Sequence, residues 1–222
     1  AVRRLTPAHG FAQLLGSNME ETLDPTLVWL QERLFLDDAG IFNLVEKHPS
    51  FLGLSLERHK EKLAWLQERL LLDDKSLIKF VKEEPAVLGH SIQANLEPKL
   101  AWLNKTLGLD DKSLSKLVQA KPQVLGYSIK DNLEPKLVWL NETLGLDAKR
   151  ISKLVQRLPQ VLGYSIEDNL ERKLMWLNET LGLDAKGISK VVQRMPQVLN
   201  LSLENNLEPT LAWLQERLSL DD

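Results

Sequence analysis

The chain has 222 residues, with 28 lysines and arginines against 31 aspartates and glutamates, a formal net charge of −3 and a hydrophobic content of 43%. That balance belongs to a folded chain and not to a charge-rich disordered one. No apolar run reaches the roughly 20 residues that cross a bilayer as a helix, and the absence of cysteine excludes disulfides, thiolate metal sites and cysteine nucleophiles.

Near the amino end, "AQLLGSN" at 12–18 matches "PQVLGYS" at 159–165, so the chain is expected to open on the tail of an earlier unit. Five repeats follow at 18–54, 55–90, 91–127, 128–164 and 165–201. Residues 202–222 are expected to hold the first helix of a further unit, making 1–222 one array, a piece of a longer one or a trimmed chain. All six tryptophans mark the register: Trp29, Trp65, Trp102, Trp139, Trp176 and Trp213, spaced by 36 and then four times by 37. Eight residues after each stands an aspartate, Asp37, Asp73, Asp110, Asp147, Asp184 and Asp221. Twelve after the first five of these comes Pro49, Pro85, Pro122, Pro159 or Pro196. Spacing this strict is the signature of a solenoid. One residue is missing between Ser55 and Trp65, which are ten apart where Ser91 and Trp102 are eleven apart.

Within 165–201, Ser165 followed by Asp168 predicts an N-cap opening helix one. Leu170, Leu174, Leu177 and Leu181 then form an apolar stripe. Gly182 supplies a left-handed stop, and Asp184 caps helix two, whose buried stripe is Ile188, Val191, Val192 and Met195. Pro196 ends that helix, and "PQVL" can make one further turn with proline at its first position. Gly53, Gly89, Gly126 and Gly163 are expected to close that turn in a left-handed conformation, with Asn200 as the tolerated replacement. Each unit is thus two helices and a short third turn, an all-α architecture. So small a pair cannot bury its apolar faces alone, and neighbouring units must stack. The tryptophans are expected to wedge against adjacent units. The apolar column beside them, Ala101, Val138 and Met175, is expected to leave helix one few faces for solvent.

The run "PxVLGxS", the capped helix "SIxxNLEPKLxWL" and the link "LGLD" resemble the mitochondrial transcription termination factor family, known as mTERF, over nearly the whole chain. The resemblance implies a superhelix of three-helix units acting in a mitochondrion or chloroplast. It implies binding to double-stranded DNA or RNA through a basic groove, or service in ribosome assembly with an organellar ribosome or protein partner. It implies no enzymatic activity, cofactor, small-molecule substrate or membrane partner.

The net charge hides a sorting by face. On helix two, opposite the buried stripe, Lys186, Lys190 and Arg194 stand at i, i+4 and i+8, and Lys149, Lys153 and Arg157 hold the same places one unit earlier. Lys112 and Lys116, and before them Lys75 and Lys79, continue two of the columns. Glu97, Glu134, Glu142, Glu171, Glu179, Glu208 and Glu216 put the acid on helix one. Stacked helices lie roughly 8–10 Å apart, so the ten basic side chains are candidates for a ladder along a phosphate backbone. They barely vary from unit to unit, and a one-base-per-repeat code needs variation; backbone contact with weak sequence preference is expected. The alternative reading is a solvated helix face, with the array serving as a protein-binding scaffold.

Other candidates are weaker. A regularly spaced tryptophan is more often structural than a stacking platform for bases. Tyr127, Tyr164 and His90 share a column that could touch a ligand or simply cover the turn. His9, His48, His59 and His90 lack metal-ligand spacing. An active site needs one asymmetric constellation, which a repeat does not supply.

Overall fold

The computed structural model describes residues 24–48 and 54–218. They are all-helical, with two helices and a short third turn recurring as the sequence predicts. The array divides into two compact units, residues 1–96 and 97–222. The first holds α1 (Asp24–Leu34), α2 (Asp38–Lys47), α3 (Leu56–Arg69) and α4 (Asp74–Glu83). The second holds α5 (Glu97–Leu107), α6 (Asp111–Ala120), α7 (Glu134–Leu144), α8 (Ala148–Arg157), α9 (Arg172–Leu181), α10 (Ala185–Arg194) and α11 (Glu208–Leu218). Odd-numbered helices are helix one of a repeat and even-numbered ones helix two. The tail at 12–18, Pro49, Gly53 and Asp221 lie outside the described residues.

Local chemistry sets the boundaries. Asp37, Asp73, Asp110, Asp147 and Asp184 each accept a hydrogen bond from the backbone N–H three residues on, at 2.7–2.8 Å, satisfying a donor that a helix start leaves open. Pro85, Pro122, Pro159 and Pro196 each open a short 3-10 turn. Gly108, Gly145 and Gly182 end helix one with φ of 58°, 61° and 61°. In the two earlier repeats the same place is taken by Phe35 and Leu71, held in the left-handed region at φ 50° and 51°.

The glycines after the third turn differ from expectation. Gly89, Gly126 and Asn200 are right-handed, with φ of −83°, −83° and −92°. Their column is short of space rather than of conformational freedom: a Cβ on Gly163 would lie 2.5 Å from Tyr127 Oη and 3.2 Å from Lys121 Cε. One unit on, Tyr164 Oη donates to Asn200 Oδ1. The tyrosines thus reach forward onto the third turn of the next repeat.

The missing residue has a structural meaning. At Ser91, Ser128, Ser165 and Ser202, helix one opens with a wide turn in which the amide five residues on donates to the serine carbonyl, at 3.0–3.1 Å. At Ser55 the bond comes instead from His59, four residues on, and α3 is α-helical from its first turn. A π-turn is a one-residue insertion in an α-helix, and the 36-residue repeat lacks that residue. The register is restored at once, since His59 is buried in the column of Leu96, Leu133 and Leu170. Proline follows the wide turn at 98, 135 and 209, yet Arg172 follows it at the fourth site, so the turn does not depend on proline.

Between repeats, helix one packs against helix two of the following repeat: α1 on α4, α5 on α8 and α7 on α10. Ser189 Oγ of α10 donates to Leu144 O at the end of α7, at 2.6 Å. This explains two departures from the expected stripes. Leu181 is 42% exposed, whereas Leu107 and Leu144 in its column are 4% and 3% exposed; among the described residues no helix two follows α11 to cover it. Met195 is 54% exposed, whereas Leu158 is 1% exposed beside the next repeat's third turn, where Gln197 Nε2 donates to Arg157 O at 3.5 Å. The tryptophans are half-buried except Trp213, which is 59% exposed. Trp139 Nε1 donates to Glu171 Oε1 of the next repeat at 3.1 Å.

Each inner repeat also carries a buried lysine. Lys62, Lys99, Lys136 and Lys173 are 3–5% exposed, and each Nζ donates to a backbone carbonyl at the third turn of its own repeat: Leu88, Leu125 at 2.5 Å, Tyr164, and Leu199 at 2.7 Å. Lys173 also donates to Asn169 Oδ1 at 2.9 Å. Burial lowers the pKa of Lys62, to about 8 with a further push from Arg58, and lowers those of Lys136 and Lys173.

Candidate nucleic-acid interface

Helix two places its basic residues by periodicity. In α8, Ile151, Leu154 and Val155 are buried while Lys149, Lys153 and Arg157 are exposed on the other side. In α10, Ile188 and Val192 are buried while Lys186, Lys190 and Arg194 are exposed. Lys112 and Lys116 of α6 and Lys75 and Lys79 of α4 are exposed as well, so all ten sequence candidates reach solvent.

They are not equivalent. The Arg157 guanidinium donates to Gln193 O at 2.8 Å and Arg194 O at 3.0 Å, closing the carbonyl end of α10, where a helix dipole favours a cation. Its first role is therefore to join repeats, which the sequence reading missed because its partners are backbone atoms 36 and 37 residues away. Lys79 pairs with Glu83 at 3.6 Å. Lys75 lies near Asp73, and Lys112 and Lys116 near Asp110, where they add to the backbone hydrogen bonds that hold these carboxyls below the usual range. Lys149, Lys153, Lys186, Lys190 and Arg194 make no salt bridge among the described residues. The least compensated cations thus lie on α8 and α10.

Between these two helices runs an open cleft of about 330 Å³, lined by Arg150, Lys153, Leu154, Gln156, Arg157 and Gln193. Three cations and no carboxylate face it. Arg150 was not among the sequence candidates. Its column holds Ser76, Ser113 and Gly187 elsewhere, so no repeat pattern flags it, and it also contacts the capping Asp147 at 3.5 Å.

The other candidates resolve differently. Tyr127 and Tyr164 make the forward contacts described above. Among the described residues no group of histidines and acids could hold a metal ion, and no helix is long and apolar enough to cross a membrane.

The model of the mTERF family matches residues 8–218. The chain belongs to the mTERF family. No curated protein matches it. Members of this family are in general nucleic-acid-binding helical-repeat proteins that regulate gene expression in organelles, and in general they are not enzymes.

Helix one, by contrast, shows an unexpected surface. Val138 and Met175 are 47% and 57% exposed, and Ala101 is exposed too. The expectation that this column is covered fails because repeats meet through helix two of the next repeat, which leaves the outer face of helix one to solvent.

Proposed function

We propose that this mTERF protein binds double-stranded DNA or RNA along the phosphate backbone, using the helix-two ridge of Lys75, Lys79, Lys112, Lys116, Lys149, Lys153, Arg157, Lys186, Lys190 and Arg194. In this reading it acts in a mitochondrion or chloroplast on transcription termination or regulation, transcript handling or ribosome assembly, without chemistry of its own. The observation that carries it is that Lys149, Lys153, Lys186, Lys190 and Arg194 on α8 and α10 are exposed and make no salt bridge among the described residues. A phosphodiester supplies the missing charge, and each contact releases counterions. Repetition of the same side chains favours positioning contacts over base reading.

The test is a salt series with duplex DNA and duplex RNA. Replacing Lys153, Lys190 and Arg194 together with glutamine should weaken binding to all sequences alike. It should also flatten the salt slope by about 0.9 for each duplex phosphate that the variant no longer neutralises. Because exposed charges contribute little to folding, the thermal midpoint should barely move. An unchanged affinity and slope in the folded triple variant would overturn the assignment of the ridge.

A further inference from the structure

A second groove, of about 500 Å³, lies between α5 and α7 and is opposite in character. Leu107, Leu137 and Ile151, each less than a tenth exposed, form part of its lining. Trp102, half-buried, and Val138, 47% exposed, also line it. Two exposed carboxylates, Glu134 and Glu142, line it as well, beside the neutral Thr106, Asn141 and Ala148, and no lysine or arginine does. Glu134, Val138 and Glu142 stand at i, i+4 and i+8 and so share one face of α7. Glu171, immediately before α9, and Met175 and Glu179 on it repeat the pattern and are all exposed, and Trp139 Nε1 holds the Glu171 carboxylate. Like charge disfavours a nucleic acid against the carboxylates at α7 and α9. The apolar row is flanked on both sides by acid at these two helices, with Lys105 in the corresponding place on α5, and is there complementary to a surface that is apolar in the middle and cationic at its edges.

We propose that this face docks a basic amphipathic helix of a partner protein, with arginines or lysines seated against Trp102 and paired with Glu134 and Glu142. A cation over an indole face, with carboxylates beside it, is stabilised by both. A partner helix lying on this face presents leucine-like and cationic side chains along one side, which heptad spacing provides because seven residues make close to two turns of an α-helix.

The probe is a synthetic peptide of three heptads with leucine and arginine at that spacing, titrated into the whole chain by fluorescence anisotropy. A scrambled peptide of the same composition serves as the control. The heptad peptide should bind at least about tenfold more tightly than the scrambled one. The E134Q/E142Q variant should weaken it about tenfold, and Val138→Gln, at an exposed site that leaves folding intact, should weaken it as well. The ridge variant of Lys153, Lys190 and Arg194 should bind the peptide normally, and E134Q/E142Q should keep its nucleic-acid salt slope, which separates this proposal from the preceding one. Equal binding of the scrambled peptide, or indifference to E134Q/E142Q, would overturn it. Concentration-dependent dimerisation of the peptide-free chain that E134Q/E142Q abolishes would overturn it too, by giving the face to a second copy.

Discussion

Lys62, Lys99, Lys136 and Lys173 each exchange water for backbone carbonyl acceptors, and Lys173 gains a side-chain oxygen too. A buried carbonyl left without a donor costs about 1–3 kcal/mol, and a flexible lysine stem can carry a donor from helix one to the third turn while its methylenes pack against leucines. Desolvation sets the electrostatic consequence. The folded-state pKa of Lys62, about 8, lies below the 10.5 of an exposed amine. Between those values the unfolded chain binds more protons, so the stability contributed by Lys62 rises as pH rises through that window. Below it, the penalty of burying the ammonium applies in full. Urea unfolding of the parent and of Lys62→Met at several pH values checks this. The parent should gain on the variant from about pH 8 to about pH 10, and a constant difference would mean that the amine keeps its water. These lysines were legible in principle: Leu96, Lys99, Leu100, Leu103 and Leu107 fall on one helical stripe. Reading by residue type hides what reading by position reveals.

At the scale of the element, caps and breaks follow closely from single letters, because an aspartate before a helix or a proline after it acts on neighbouring backbone atoms. The third-turn glycines were legible as special but not in their reason. A positive φ and a near contact both select glycine, and only the three-dimensional approach of Tyr127 to Gly163 distinguishes them. The true left-handed site is the end of helix one, and there two repeats carry the wrong residue. Leu71 sits at φ 51° with its side chain 63% exposed, so it holds a strained backbone while burying little. Leu71→Gly should raise stability by about 0.5–1 kcal/mol, since the relieved left-handed penalty exceeds the added freedom of the unfolded chain. Chemical denaturation measures it, and the same substitution at the adjacent Leu70, which is fully buried, should be strongly destabilising.

For the whole molecule, the net charge of −3 conceals local differences, since exposed cations gather on α8 and α10 while exposed glutamates gather at α7 and α9. The basic columns could be read from spacing alone. Which of them are spent on the fold could not, because Arg157 is taken up by carbonyls of the next repeat. The acidic columns on helix one were equally visible, but the apolar row between them was expected to be covered. The direction in which repeats pack, helix one onto the next helix two, is a tertiary choice that no single repeat encodes.

That direction also makes the repeat a unit of inheritance. The lysine bond closes within one repeat, whereas the tyrosine reaches forward into the next, so a cut placed just after a tyrosine preserves both. Excision of residues 128–164 would join Tyr127 to Ser165 and bring Tyr127 to the place that Tyr164 now holds, facing Asn200 as its acceptor. The shortened chain should keep its helical circular dichroism per residue and unfold cooperatively. Removing only residues 128–146 would instead run the third turn of one repeat straight into α8 and take Lys136 from the Tyr164 carbonyl, and that chain should do neither. An array built this way can lengthen or shorten by duplication and loss of whole repeats, with each new junction already made.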